Sequence, residues 1–218
     1  MTENVANEKW GVLGGSFNPV HLGHLHLART AARRSGLSRV LFIPAATPPH
    51  KLARVLAPTE HRLAMLHLAL SAHDNLEVSS MELHRGGISF TYQTMAALTA
   101  AHSSIAFYFL IGSDTLAELH TWRRIDLIAR MVTFLIMRRT EMPHPTPPPA
   151  LEEALRGTPL DAQHLVAEPL PISSTEIRSR VRRQQSIKGL VPVAVENYIR
   201  KKGLYRGAVG GRRDEPVA

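Results

Sequence analysis

An apolar segment closed by paired glycines, 9-KWGVLGG-15, leads through a short turn into a stretch with helical periodicity, Leu22 to Ser35, and then into a β-rich run, 39-RVLFIPA-45. Apolar residues in the middle stretch fall at Leu22, Leu25, Ala28, Ala31 and Ala32, and Gly36 supplies the stop. Strand, helix and strand at this spacing make a βαβ unit, which requires parallel strands and a right-handed crossover. The alternation continues down the chain. Thr59 reads as the N-cap of a helix reaching about Ala72, 76-LEVSSM-81 as a short strand and 91-TYQTMAALTAA-101 as a helix. A strand at 105-IAFYFLI-111, helical stretches at 114-DTLAELH-120 and 124-RIDLIA-129, and a strand at 131-MVTFLIM-137 follow. Beyond the loop 140-TEMPHPTPPPA-150, with its five prolines, come a short helix at Leu151 to Arg156 and a strand near 164-HLVAE-168. Helices at Ser174 to Gln184 and Pro192 to Lys202, the latter stopped by Gly203, end the pattern. Such alternation predicts an α/β fold, a doubly wound, mainly parallel sheet with C-terminal helices.

A chain of 218 residues suits one such domain. The composition divides it into a flexible N-terminus at 1–8, the domain at 9–205 with a Pro-rich loop at 140–150, and a basic flexible tail at 206–218. Its 44% hydrophobic and 20% charged residues are those of a folded globular protein. The longest apolar runs are too short for a membrane helix, and MTENVANEKW has no apolar signal region, so a cytoplasmic location is expected. Having no cysteine excludes disulfides, thiolate catalysis and cysteine-ligated zinc. The net charge of +8 is unevenly spread. Of 26 basic and 18 acidic residues, eleven basic and one acidic, Glu196, lie between Arg178 and Arg213, leaving 15 and 17 over the rest. A terminal excess of this kind reads as solvation or weak anion attraction, and no nucleic-acid partner is expected.

In open parallel sheets ligands bind beyond the carboxyl ends of the strands, and the first βα turn is the usual phosphate contact. That turn here is 14-GGSFNPVH-21. Gly14 and Gly15 let a ligand approach the main chain, and the amides opening the next helix add partial positive charge. It is not a dinucleotide fingerprint, since G-x-G-x-x-G is absent, and it is not a P-loop, since no G-K-[ST] follows. Its cations are imidazoles, His21 and His24, neighbours on one helix face. Three readings of the pair compete. The rings can simply pack, as His26 does or else faces solvent, or chelate zinc, which needs a third ligand that no nearby motif supplies. The third reading is that they donate hydrogen bonds to phosphate as charge grows in a transition state, and this fits the glycine turn best.

The string 14-GGSFNPVHLGH-24 resembles the G-G-[ST]-F-D-P-x-H-x-G-H signature of the nucleotidyltransferase superfamily. With 44-PAATPPHK-51, 82-ELHRGGISFTYQT-94, 109-FLIGSDTLAELHTW-122 and 172-ISSTEIRSR-180, it is similar to the bacterial nicotinate-nucleotide adenylyltransferases over most of residues 10 to 205. The resemblance implies a Rossmann-like nucleotidyltransferase fold, and transfer of adenylyl from ATP to nicotinate mononucleotide, giving deamido-NAD and pyrophosphate in NAD biosynthesis. It implies magnesium, carried by the ATP phosphates with no metal ligands from the protein. It assigns catalysis to His21, His24, Lys51 and Arg178, and ATP phosphates to Gly14, Gly15, Ser16, Phe17, His50, Ser173, Ser174 and Thr175. Nicotinate mononucleotide would lie against Thr91, Gly112, Asp114 and Trp122, the indole stacking on the pyridine ring. Asn18 departs from the signature's aspartate, as a neutral isostere that shapes the turn. The alternatives are a related enzyme with another phosphomonoester acceptor, such as nicotinamide mononucleotide or phosphopantetheine, or a basic nucleic-acid-binding protein.

Overall fold

In the computed structural model, residues 8–49, 56–138, 147–166 and 170–206 are described. The first βαβ unit is β1 (Lys9–Gly15), α1 (Leu22–Ser35) and β2 (Arg39–Pro44). Leu25, Ala28, Ala31 and Ala32 of α1 are buried, and Gly36 ends the helix in the left-handed region at φ 63°, its N–H donating to the Ala32 carbonyl.

Next come α2 (Thr59–Leu70), β3 (Leu76–Val78), α3 (Met81–Arg85), α4 (Thr91–Ala101) and β4 (Ala106–Gly112). The helix α5 (Ser113–Glu118) runs through a 3-10 turn at Leu119–Thr121 towards α6 (Ile125–Met131) and β5 (Thr133–Arg138). The rest is α7 (Pro149–Leu155), β6 (Ala162–Val166), α8 (Ser174–Arg182) and α9 (Val193–Lys202).

Two expectations about elements are corrected. The strand foreseen over 76–81 stops at Val78, and Met81–Arg85 is a helical turn. The N-cap of α2 is Pro58 rather than Thr59, whose hydroxyl instead accepts a bond from Arg62. Proline fits there because its missing N–H is one that a helix start leaves unused anyway.

All the strand pairs are parallel, and the order is β3-β2-β1-β4-β5-β6. Alternating side chains serve opposite faces. Leu13, Val40, Phe42, Leu110 and Leu135 meet α1, α2, α8 and α9, while Val12, Leu41, Ile43, Phe109, Ile111, Phe134 and Ile136 meet α4, α5, α6 and α7. Burial on both faces is why the strands read as continuous apolar runs. The chain winds outward from β1 through β2 to β3, then returns to the other side of β1 as β4. This switch opens a crevice beyond the carboxyl ends of β1 and β4, where Gly14–Gly15 and Gly112 stand.

Candidate active site

The turn after β1 is built tightly. Phe17 has a φ of 44°, a left-handed conformation that costs a bulky residue about 1–2 kcal/mol. Its side chain is fully buried, with ring centroids 5.6 Å from Phe42 and 5.1 Å from His24. Gly15 makes the fold-back possible, since a Cβ there would lie 3.3 Å from the Phe17 ring.

The carbonyls of the turn are tied to side chains from distant helices. Ser16 O accepts from Arg62 Nη1 at 3.0 Å, Asn18 O from Arg178 Nη1 at 2.7 Å, and Pro19 O from Ser174 Oγ at 2.9 Å. Asn18 Oδ1 accepts from Ala57 N at 3.1 Å and from the Tyr205 hydroxyl at 2.9 Å. Both bonds need only an acceptor oxygen, so asparagine serves where the signature has aspartate.

His21 is the N-cap of α1, and His24 lies one turn on. Their rings stack with centroids 3.6 Å apart and planes 24° apart, and His21 N donates to His24 Nδ1 at 3.2 Å. A ring whose Nδ1 accepts carries its proton on Nε2 when neutral, so His24 Nε2 is a donor. His21 is 7% exposed. Burial lowers its pKa to about 4, so the ring is neutral at pH 7. Gly23 completes the pair: a Cβ there would meet His21 Nδ1 at 3.0 Å and Cε1 at 3.1 Å.

The segment 172–178 reaches this turn from the far end of the chain. Ser173 caps α8, its Oγ accepting from Glu176 N at 3.2 Å, and Thr175 Oγ1 accepts from Arg178 Nη2 at 3.2 Å. The hydroxyls of Ser173 and Ser174 and the Arg178 guanidinium thus have structural partners, those of Ser174 and Arg178 on the turn itself.

The glycine turn also borders a cavity of about 360 Å³. Gly14, Gly15 and Ser16 form one wall, and Thr91, Phe109, Gly112 and Trp122 others. Trp122 is half-buried and meets Phe109 edge-on at 5.6 Å. The 45–49 loop closes the side: Ala46 N donates to Ser89 Oγ and Ser89 N to Thr47 O, both at 2.9 Å.

Of the expected acceptor residues, Thr91, Gly112 and Trp122 line the cavity, whereas Asp114 does not. It is exposed in the first turn of α5, its carboxylate folded back on Gly112. The expected phosphate residues Gly14 to Phe17, His21, His24, Ser173 to Thr175 and Arg178 gather around the turn, while His50 and Lys51 lie outside the described residues.

The site also holds residues that sequence reasoning passed over: Gly23, Arg62, Glu82, Ser89 and Arg123. A glycine near a helix start, between two histidines, was the one visible signal. A larger hollow of about 540 Å³, between α1, α2 and α9, is lined by Leu25, His26, Arg29 and Leu68 and holds none of the expected residues. The chemistry therefore points to the smaller cavity. His26, expected to pack or face solvent, is half-buried in that hollow's wall.

Among the described residues no group of three or more His, Asp or Glu gathers to hold a metal.

A cytidylyltransferase-like family model matches residues 12–180. A probable nicotinate-nucleotide adenylyltransferase of Trichlorobacter lovleyi is 39% identical over 213 residues, covering 91% of this chain and 99% of the relative. One of Geobacillus kaustophilus is 39% identical over 210 residues, covering 96% and 92%. Among solved structures, Plasmodium falciparum nicotinic acid mononucleotide adenylyltransferase complexed with NaAD superposes with a TM-score of 0.73 at 20% identity, over 91% of this chain and 97% of that one, which supports the fold. With the fold, the glycine turn and these relatives agreeing, the chain belongs to the nicotinate-nucleotide adenylyltransferase family, within the cytidylyltransferase-like group.

Proposed function

We propose that this protein transfers the adenylyl group of ATP to nicotinate mononucleotide, forming deamido-NAD and pyrophosphate. One observation carries the reading: a single glycine turn is both a wall of an aromatic cavity and the lead-in to two stacked imidazoles. An acceptor ring in the cavity and a triphosphate along the histidines would meet at that turn.

The acceptor's phosphomonoester has a second pKa of about 6 and is largely dianionic at neutral pH, so it needs no general base. Its oxygen attacks the α-phosphorus, the new P–O bond forms, and the bond to pyrophosphate breaks with the electron pair leaving on the pyrophosphate oxygen. Catalysis is then positioning and charge stabilisation. His24 donates from Nε2 towards the departing phosphates. His21, neutral at pH 7, gains affinity for a proton when a polyanion arrives, because an adjacent negative charge favours imidazolium.

Arg178 acts through the turn it holds at Asn18 O, and Ser173, Ser174 and Thr175 border the same phosphates. His50 and Lys51 stay in the proposal as phosphate contacts on the strength of the resemblance. Magnesium enters as MgATP, a substrate, and neutralises triphosphate charge.

The test is pyrophosphate release from MgATP with nicotinate mononucleotide, nicotinamide mononucleotide and phosphopantetheine in turn. Release fastest with the first supports the reading, and release only with phosphopantetheine or with none overturns it. His24→Ala should lower kcat by about 10²–10³, as loss of a preorganised donor does, with unchanged circular dichroism. Near-normal turnover would remove the imidazole from the mechanism.

A further inference from the structure

We propose that Arg124 and Asp126 are positioning residues that hold the Trp122 indole in place to stack on the acceptor. The inference rests on the reading of the aromatic cavity as the mononucleotide site and says what keeps its flat wall still.

Trp122 stands where the chain passes from the 3-10 turn at Leu119–Thr121 into α6. It borders two spaces, the cavity and a polar hollow of about 380 Å³ whose other walls include His120, Asp126 and Glu153. The indole is half-buried and meets Phe109 edge-on, so with space of this kind beside it packing alone does not fix the ring.

The backbone supplies the rest. Trp122 N donates to Leu119 O at 3.0 Å, and the Trp122 carbonyl accepts from Ile125 N at 3.2 Å, Ile125 itself being anchored in the core at 2% exposed. That second bond closes a tight turn whose third residue is Arg124, and it holds only while Arg124 keeps its conformation. Arg124 has φ 57° and ψ 44°, in the left-handed region, where glycine is usual and a side chain bearing a Cβ is strained.

Asp126 holds the arginine there. Arg124 Nε donates to Oδ1 and Nη2 to Oδ2, both at 3.1 Å, a forked pair closed over two positions of sequence. Asp126 is 8% exposed, so the carboxylate has a fixed seat in the first turn of α6 and the guanidinium is drawn to it. Bonds from Arg124 keep the Asp126 carboxyl below its ordinary pKa, so the pair is charged at neutral pH. The clasp gives the turn a rigidity that glycine would lack, and a preorganised indole loses little freedom when a ring stacks on it. Stacking is the same in ground and transition states, so its loss belongs to KM rather than kcat.

The experiment compares the wild type with Asp126→Asn, Arg124→Ala and Arg124→Gly. It measures kcat, KM for nicotinate mononucleotide at saturating MgATP, KM for ATP at saturating mononucleotide, and Tm. Asp126→Asn and Arg124→Ala should raise the mononucleotide KM about fivefold, the scale of one aromatic contact, with kcat and the KM for ATP nearly unchanged. Arg124→Gly also lacks the clasp but has no strain at φ 57°, and should recover most of the affinity. A fluorescence titration gives the matching signature: quenching of Trp122 by the mononucleotide, with Trp122→Phe as the blank, should be shallower in Arg124→Ala and restored in Arg124→Gly. Arg124 is exposed, so its two variants carry the test even where Asp126→Asn fails to fold. A lower Tm with an unaltered mononucleotide KM, an equal rise in both KM values, or a glycine variant as impaired as the alanine one would overturn the assignment while leaving the proposed reaction intact. A wild type that releases no pyrophosphate with nicotinate mononucleotide, and whose fluorescence it leaves unquenched, would overturn the parent reading, and this inference with it.

Discussion

Between His21 and His24 stands a glycine whose purpose is legible only in three dimensions. Near a helix start, Gly costs about 1 kcal/mol relative to Ala, so an alanine at position 23 should favour the helix on propensity alone. Its Cβ would, however, sit 3.0 Å from His21 Nδ1, closer than a relaxed contact, and the imidazole would have to give way by a few tenths of an ångström. Gly23→Ala should therefore separate stability from activity. Its Tm should stay within a few degrees of the wild type while kcat drops about tenfold, because small displacements of a catalytic group are expensive. A turnover equal to the wild type would show that the stacked geometry of the pair does not matter.

His21 also makes stability depend on pH. Its folded pKa of about 4 lies below the ordinary 6.5, so below pH 6.5 the unfolded chain binds the extra proton and the folded one resists it. The folded state has its full stability above pH 6.5 and loses it as pH falls towards 4, by about 3 kcal/mol from this residue. Urea unfolding of the wild type and His21→Gln at pH 7 and pH 4.5 should show a smaller acid loss in the variant. Paired histidines after a glycine turn were readable from sequence as a phosphate site. Burial of one ring, and hence its neutrality, was not, because it depends on residues such as Ile172, whose carbonyl packs near Gly23 from far along the chain.

Among the elements, α2 carries a residue that periodicity alone would place with the solvent-facing charges. Arg62 is 1% exposed, and its guanidinium donates to Ser16 O at 3.0 Å, Ala45 O at 2.8 Å and Ala57 O at 3.2 Å, and to Thr59 Oγ1 at 3.2 Å. One planar fork thereby joins the glycine turn, the end of β2 and the approach to α2. Burial lowers its pKa, but from so high a starting value that the charge is kept at neutral pH.

Arg62→Met should cost about 3 kcal/mol, since buried carbonyls lose donors they cannot replace, and should also weaken ATP turnover by loosening Ser16. Urea titration gives the first quantity and KM for ATP the second. Arg62→Lys keeps the charge but has no fork, and should fall between. A methionine variant as stable as the wild type would show that the carbonyls find other partners.

Most elements were legible because each is apolar at its own period, as in α1 from Leu22 to Ser35. The errors share one cause: where a short segment is polar, tertiary contacts decide. Residues 81–85 turn helical with Glu82 buried against Thr94. That contact is not written in local pattern.

At the scale of the whole molecule, the fold brings described segments far apart in the sequence to one place. The turn after β1 is covered by α8, and the stretch following α9 returns to it, so that Tyr205 donates its hydroxyl to Asn18 Oδ1 across 187 positions of sequence. Basic residues dominate this C-terminal part of the sequence, and Arg62 and Arg178 lie close enough to favour an ionised phenol, yet burial outweighs them and raises the Tyr205 pKa well above its ordinary value. The hydroxyl therefore keeps its proton and its bond at neutral pH.

The sign of the linkage follows. Above pH 10 the unfolded chain releases the phenolic proton while the folded chain retains it, so this residue's contribution is complete below pH 10 and declines as pH rises further. Tyr205→Phe should lower stability by about 1–2 kcal/mol at pH 7, through the bond that Asn18 loses, and should flatten the decline between pH 10 and 11 relative to the wild type. Denaturant midpoints at pH 7, 10 and 11 for both proteins give the difference. Because lysine titration is common to the two, it cancels. Equal slopes for the two proteins would mean that Tyr205 ionises as freely in the folded chain as in the unfolded one, and that the stretch after α9 does not lock the turn.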